Sequence, residues 1–319
     1  MTPALTRTLA DLQVSPIGLG GNVFGWTADE ATSFEVLDAY LDAGGNLIDT
    51  ADGYSYWAPG NSGGESETVI GRWLDSRPVR DRIVLATKVS TKPDRPGLSA
   101  ANIQLALTES LARLHTDVID VYYAHFDDES TPLEETVNAF DEARRAGRIR
   151  HVGLSNYTPE RIRQWFSIAD SHGCARPVVL QPHYNLLHRD DVEGPGGRGR
   201  VAAELDMGLM PYFALAAGFL TGKYRRGEVI DGDRAGMVAD YQRPECYDVV
   251  DAVVQVAENR GVEPSAVALA WLRDRPGVTA PLASARNLSQ LRPIVEALSL
   301  ELDDEEARAL TRVSDASRS

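Results

Sequence analysis

The chain has 319 residues, 43% of them apolar and 25% charged, with a formal charge of −15. That composition suits a folded core of ordinary size, and the acidic balance argues against a nucleic-acid backbone or an anionic membrane as partner, since either attracts a basic face. No run approaches the roughly 18 uncharged apolar residues of a membrane span. The start MTPALTRTLADLQVSP lacks the apolar stretch of a signal peptide, and Cys174 and Cys246 have neither disulfide nor zinc-ligand spacing, so a cytoplasmic protein without a metal is expected.

Along the chain, short β-rich apolar runs alternate with longer amphipathic stretches, the pattern of repeated βα units. Strands are expected at 17–20, 46–50, 83–88, 118–125, 151–155, 178–183, 209–215 and 278–282. Between them the periodicity predicts helices over 29–43, 65–74, 100–114, 133–146, 159–172 and 200–207, a pair over 247–260 and 264–273, and a last one over 288–298. Ser99 and Thr158 read as N-caps, Gly147 and Gly261 as C-terminal stops, and Pro159 and Pro264 as first helical residues. No linker or low-complexity tract divides the chain, so residues 1–319 are expected to form one domain. Eight βα units in one domain is the arithmetic of a closed (β/α)8 barrel with long loops at its carboxyl-terminal face. A doubly wound sheet is the rival, but GLGGNVFG runs into Trp26 rather than opening a helix.

In such a barrel the active site lies at the carboxyl ends of the strands. Asp49 and Tyr54 follow the second expected strand, Lys88 ends the third, and His125 ends the fourth. Alone, Asp49 would read as a helix cap, Lys88 as a solvated strand end and His125 as a satisfied histidine. Four such residues at one face of three successive strands point instead to an acid that protonates a carbonyl oxygen. Tyrosine can donate a proton, but an ordinary pKa near 10 makes it sluggish at neutral pH. A cationic Lys88 beside Tyr54 is expected to bring that value down, with Asp49 holding the lysine charged and His125 orienting the carbonyl.

Together SPIGLGG, DTADGY, ATKV, DVYYAHFD, GLSNY, LQPHYN, GFLTGKY and VALAWLRDRPGVTAPLASARN resemble the aldo-keto reductase family along nearly all the chain. The resemblance implies a (β/α)8 reductase that binds a nicotinamide cofactor, usually NADPH, without a Rossmann fold. It makes Tyr54 the proton donor, Lys88 and Asp49 its tuning pair and His125 the orienting group. It also makes Ser155, Asn156 and Gln181 the carboxamide contacts and Tyr212 the aromatic that stacks on the nicotinamide ring. Phosphate binding falls to Gly218, Leu220, Thr221, Gly222 and Lys223, with Ser284 and Arg286 at the 2′-phosphate position and Gln290 near the adenosine end; a forked arginine favours NADP(H) over NAD(H). The chain departs from the pattern in two places. Tyr212-Phe213-Ala214-Leu215 replaces the common Tyr-Ser-Pro-Leu, leaving pyrophosphate contacts to the backbone, and Ile294 stands where an asparagine often reaches the adenine.

Phe24, Trp26, Tyr56, Trp57, Phe126 and Asp127 follow barrel strands and are expected to wall a pocket for a bulky or amphipathic carbonyl, with WAPGNSGG an inserted loop after Tyr54. Two further readings stay open at this point. One is an NADP(H)-binding redox-sensing or regulatory subunit with little turnover. The other is an unrelated (β/α)8 lyase or isomerase that uses Lys88 as a Schiff-base amine.

Overall fold

A computed structural model of the chain describes residues 6–224, 226–227 and 235–318. Its first element was absent from the sequence expectations: β1 (Arg7–Leu9) and β2 (Leu12–Val14) form an antiparallel hairpin with Leu9 opposite Leu12. The barrel follows as β3 (Gly18–Gly20), α1 (Glu30–Asp42), β4 (Leu47–Asp49), α2 (Glu65–Ser76), β5 (Val84–Val89), α3 (Ala100–Arg113), β6 (Ile119–Ala124), α4 (Leu133–Arg145), β7 (Ile149–Ser155) and α5 (Pro159–His172). The second half runs β8 (Val179–Gln181), α6 (Asp190–Glu193), α7 (Arg198–Glu204), β9 (Gly208–Leu209), α8 (Ala235–Val238), α9 (Pro244–Arg260), α10 (Pro264–Arg273), β10 (Leu282–Ala283), α11 (Leu288–Glu296) and α12 (Asp304–Ala316).

The eight-stranded sheet is parallel in the order β10-β3-β4-β5-β6-β7-β8-β9. It closes on itself where Leu209 bridges Val278 and the Leu282 N–H donates to Pro211 O at 2.8 Å. The expected (β/α)8 barrel is thus the observed fold. Strands VLATKV and IDVYYA are buried on both faces, as strands between a barrel interior and a helical layer must be. The interior is filled by Leu47, Val84, Val121, Tyr123, Val179 and Met210, and the hairpin side chains Leu9, Leu12 and Val14 join that cluster from below. Gly153 makes room for Tyr123: a Cβ there would lie 2.4 Å from the ring. Outside the strands, Trp73, Phe140, Trp165 and Trp271 are fully buried under the helices, each contributing about 3 kcal/mol of apolar burial.

Three strands are shorter than their apolar runs suggest, and prolines explain each. Pro182 follows β8, Pro211 follows β9 by two residues and Pro281 precedes β10, and a proline has no N–H for the ladder. Expected caps are present: Ser99 accepts from Asn102 N–H and Thr158 from Arg161 N–H, while Gly261 takes φ 66 after α9. Pro293 sits inside α11, which nevertheless runs through to Glu296. Among the described residues no helix is long and apolar enough to cross a membrane.

Among the described residues nine non-glycine residues have positive φ, and six of them (Ser55, Ser90, Asn156, Phe213, Ala216 and Ala217) lie in segments that follow β4, β5, β7 and β9. Backbone strain of about 1–3 kcal/mol per residue is therefore gathered at the carboxyl face, where it fixes loop geometry rather than the core.

Candidate active site

Because each strand ends at the same rim, Asp49 at the end of β4 and Lys88 near the end of β5 meet inside the barrel mouth. Lys88 is fully buried, and its Nζ donates to Asp49 Oδ2 at 2.5 Å, to Thr50 O at 2.8 Å and to Tyr54 OH at 3.0 Å. The other Asp49 oxygen accepts from Gln181 Nε2 at 3.0 Å. A buried ammonium and carboxylate are thus both fully satisfied, the condition under which an ion pair survives in a dry interior. Burial works against the Lys88 charge, but Asp49 and the Tyr54 oxygen outweigh it and hold the ammonium above its ordinary value. Burial lifts the Asp49 carboxyl against the pull of Lys88 and Gln181.

For Tyr54 the outcome differs from the expectation. Burial is the largest influence on its phenol, Lys88 pulls downward, Asp49 pushes upward, and the net displacement is upward. The reason is that Tyr54 faces a neutralised pair rather than a bare cation: Lys88 restrains the rise that burial imposes without reversing it. His125, whose ring packs edge-on to Tyr54 at 6.0 Å, is held well below 6.5 by burial and by Lys88, so it is a neutral imidazole.

Around this centre lies a cleft of about 1450 Å³. Asp49, Tyr54, His125, Ser155, Asn156, Gln181, Tyr212, Phe213, Ala214, Leu215, Gly218, Lys223, Ser284, Arg286 and Gln290 all line it, with Trp26, Tyr56, Trp57 and Phe126 at the other end. Lys88 lies beneath, bonded to the lining residues Asp49 and Tyr54. Asn156, at φ 60, is locked in place: its Nδ2 donates to His125 O at 2.9 Å and Ser155 Oγ at 3.0 Å, and its Oδ1 accepts from Tyr212 OH at 2.8 Å. Ser155 Oγ in turn donates to Gln181 O at 2.9 Å.

Besides Lys88, four expected residues are not on the lining: Phe24, Asp127, Leu220 and Gly222, of which Asp127 is paired with Arg161 at 2.6 Å. Phe24 is fully buried in the hydrophobic core, its carbonyl accepting from Ser55 Oγ, because the turn after β3 folds inward before Trp26 emerges. Leu220 is likewise fully buried, and Gly222, at φ 74, closes a tight turn against Val254, leaving Ala217, Gly218, Thr221 and Lys223 as that segment's contribution. Conversely, Asn22, Thr91, Glu263, Ser265 and Arg292 line the cleft without having been singled out. Asn22 and Thr91 directly follow β3 and β5, so the same position rule that found Asp49 could have found them. The Glu263–Arg292 ion pair joins the N-cap of α10 to the middle of α11, which no sequence spacing reveals.

Behind the turn that carries Tyr54, Asp52 is fully buried beside Glu67 and Arg95, 3.5 Å from the latter, with its Oδ1 lacking a hydrogen-bond partner among the described residues. Burial and the Glu67 charge push its carboxyl up to about 7.

A sequence profile described as the Aldo/keto reductase family matches residues 16–315. The chain is 33% identical over 325 residues to protein tas of Escherichia coli (strain K12), covering 93% of each. It is 32% identical over 316 residues to the aldo-keto reductase YhdN of Bacillus subtilis (strain 168), covering 95% of this chain and 90% of that one. It is also 31% identical over 318 residues to the norsolorinic acid reductase stcV of Emericella nidulans, covering 93% of this chain and 78% of the relative. With the profile spanning the whole barrel and these relatives aligned almost from end to end, the chain belongs to the aldo-keto reductase family of oxidoreductases.

Proposed function

We propose that the protein reduces an aldehyde or ketone to the alcohol with NADPH, and that Tyr54 delivers the proton. The observation that carries this reading is the Tyr54 hydroxyl at the cleft wall, bonded to a fully buried Lys88 that Asp49 keeps charged. The residues present suit a phosphorylated dinucleotide. Among the described residues, Lys223 and Arg286 line the cleft without a carboxylate partner, in a chain whose arginines are mostly paired. Arginine suits a phosphate because its fork is bidentate. Tyr212 offers a ring, and Asn156 Oδ1 keeps a lone pair for a carboxamide N–H.

When bound, the reduced nicotinamide supplies the hydride to the carbonyl carbon. As charge grows on the carbonyl oxygen, Tyr54 transfers its proton there and becomes phenolate, and the adjacent Lys88 ammonium stabilises that anion. Asp49 prevents Lys88 from losing its own proton. His125, being neutral, donates one hydrogen bond to the same oxygen and fixes its approach. The outer end of the cleft, walled by Trp26, Tyr56, Trp57 and Phe126, suits a bulky apolar carbonyl.

The test is loss of reduced-nicotinamide absorbance with NADPH or NADH against aldehydes, ketones and quinones, with Tyr54→Phe alongside. NADPH-dependent turnover that vanishes in the variant supports the reading. Quenching of protein fluorescence by NADPH with no turnover on any carbonyl would sink the enzyme and leave a nucleotide-binding regulatory subunit.

A further inference from the structure

The reaction above needs the one N–H of a neutral His125 to face the substrate, and an imidazole has two nitrogens on which to carry it. Among the described residues, Nε2 of His125 has no hydrogen-bond partner, whereas Nδ1 lies 3.3 Å from Thr91 Oγ1. His125 Nδ1 is in turn the one hydrogen-bond partner that the Thr91 hydroxyl has among those residues. We propose that Thr91 is a positioning residue that sets the tautomer of His125, its hydroxyl donating to Nδ1 so that the proton sits on Nε2 and points into the cleft. This rests on the reductase reading. The reverse tautomer would aim the N–H at Thr91 and leave only a lone pair for an electron-rich carbonyl oxygen, which a hydrogen-bond acceptor repels.

The surrounding backbone is arranged for that contact. Ser90, immediately before Thr91, has φ 131, a conformation that costs a non-glycine residue strain. It is held there by Gly97 N–H donating to its carbonyl at 2.9 Å and by its Oγ accepting from Phe126 N–H at 3.2 Å. The His125 N–H donates to Val89 O at 3.0 Å, so two hydrogen bonds just before Thr91 lace its segment to the one bearing His125. On the turn that carries Tyr54, Gly53 supplies the space: a Cβ there would come within 2.8 Å of Thr91 Oγ1. A separation of 3.3 Å is long for this bond, and such contacts tighten when substrate draws on the far side of the ring.

The experiment compares Thr91→Val, which keeps the shape but cannot donate, with Thr91→Ser, which keeps the hydroxyl. 15N-histidine-labelled protein is read by NMR with the His125 signals assigned from a His125→Asn sample. In the wild type and Thr91→Ser, Nδ1 should show the shift of an unprotonated nitrogen and Nε2 that of a protonated one; in Thr91→Val the two should move toward each other. With a carbonyl that the wild type turns over, kcat should fall by about tenfold or more in Thr91→Val, roughly the value of one hydrogen bond to the reacting oxygen, while the dissociation constant for NADPH stays within about twofold. Thr91→Ser should recover most of the loss. An unchanged tautomer in Thr91→Val, or a Thr91→Ser variant as slow as Thr91→Val, overturns the assignment. If the wild type shows the expected tautomer but reduces no carbonyl, the reductase reading fails and the role of Thr91 stands.

Discussion

Replacing Lys88 by methionine tests the buried ion pair most directly, because the side chain keeps nearly its length while losing its charge. In the wild type the ammonium makes three hydrogen bonds in a site with no exposure. The variant leaves Thr50 O without that donor and Asp49 with Gln181 as its remaining partner. Breaking a buried pair in this way costs about 3–5 kcal/mol when the orphaned partner stays charged. Asp49 can escape by taking up a proton, and burial already lifts its carboxyl, so without Lys88 its folded pKa will stand well above the unfolded value near 3.9. A group raised on folding contributes stability that is complete below the unfolded pKa and is lost as pH climbs through the folded one. Lys88→Met should therefore be destabilised by several kcal/mol at pH 8 and by markedly less at pH 5.5, read as urea midpoints of the two proteins. The double variant with Asp49→Asn should regain part of the loss and lose its pH dependence. A deficit below about 1 kcal/mol at pH 8, or one that deepens on acidification, would refute the reasoning.

Tyr54→Phe removes the proton but only one hydrogen bond, so kcat should drop by about 10²–10⁴ while stability changes by about 1 kcal/mol and NADPH binding, followed by fluorescence, barely moves. Arg286→Ala should weaken NADPH binding by roughly ten- to a hundredfold and leave NADH nearly untouched; equal losses for both would separate Arg286 from the 2′-phosphate. Asp52→Asn should gain on the wild type as pH rises from 5 to 8. The wild-type carboxyl, raised from 3.8 to about 7, forfeits roughly 3 kcal/mol across that window, and a difference that stays flat with pH in thermal melts would show that Asp52 is not raised.

Much of the barrel could be read from the sequence because each strand is an apolar run ending in a polar residue, and the rim positions follow from that punctuation. Asp49 and Lys88 were found this way, and the structure brings them within hydrogen-bond distance of each other. What escaped were features that depend on packing at a distance. The hairpin at Arg7–Leu9 and Leu12–Val14 is too short to announce itself, and Ala10, at φ 51, occupies a turn where glycine or asparagine would have signalled. Helix α12 carried a legible sign, the capping box of Asp303 and Glu306, which was passed over beside an otherwise complete barrel. Phe24 illustrates the opposite error: a position after a strand is necessary for a cleft residue, but the direction of the turn decides whether the ring enters the cleft or the core.

The hairpin carries one more consequence. The family profile begins at residue 16, after both of its strands. A truncation cut at that boundary would uncork the barrel: Leu9, Leu12 and Val14 would go, and water would reach Leu47, Val84 and Val121 from the end opposite the active site. Part of the barrel's dry interior is thus closed by a segment that the family profile does not cover, so recombinant boundaries should keep residues 6–15.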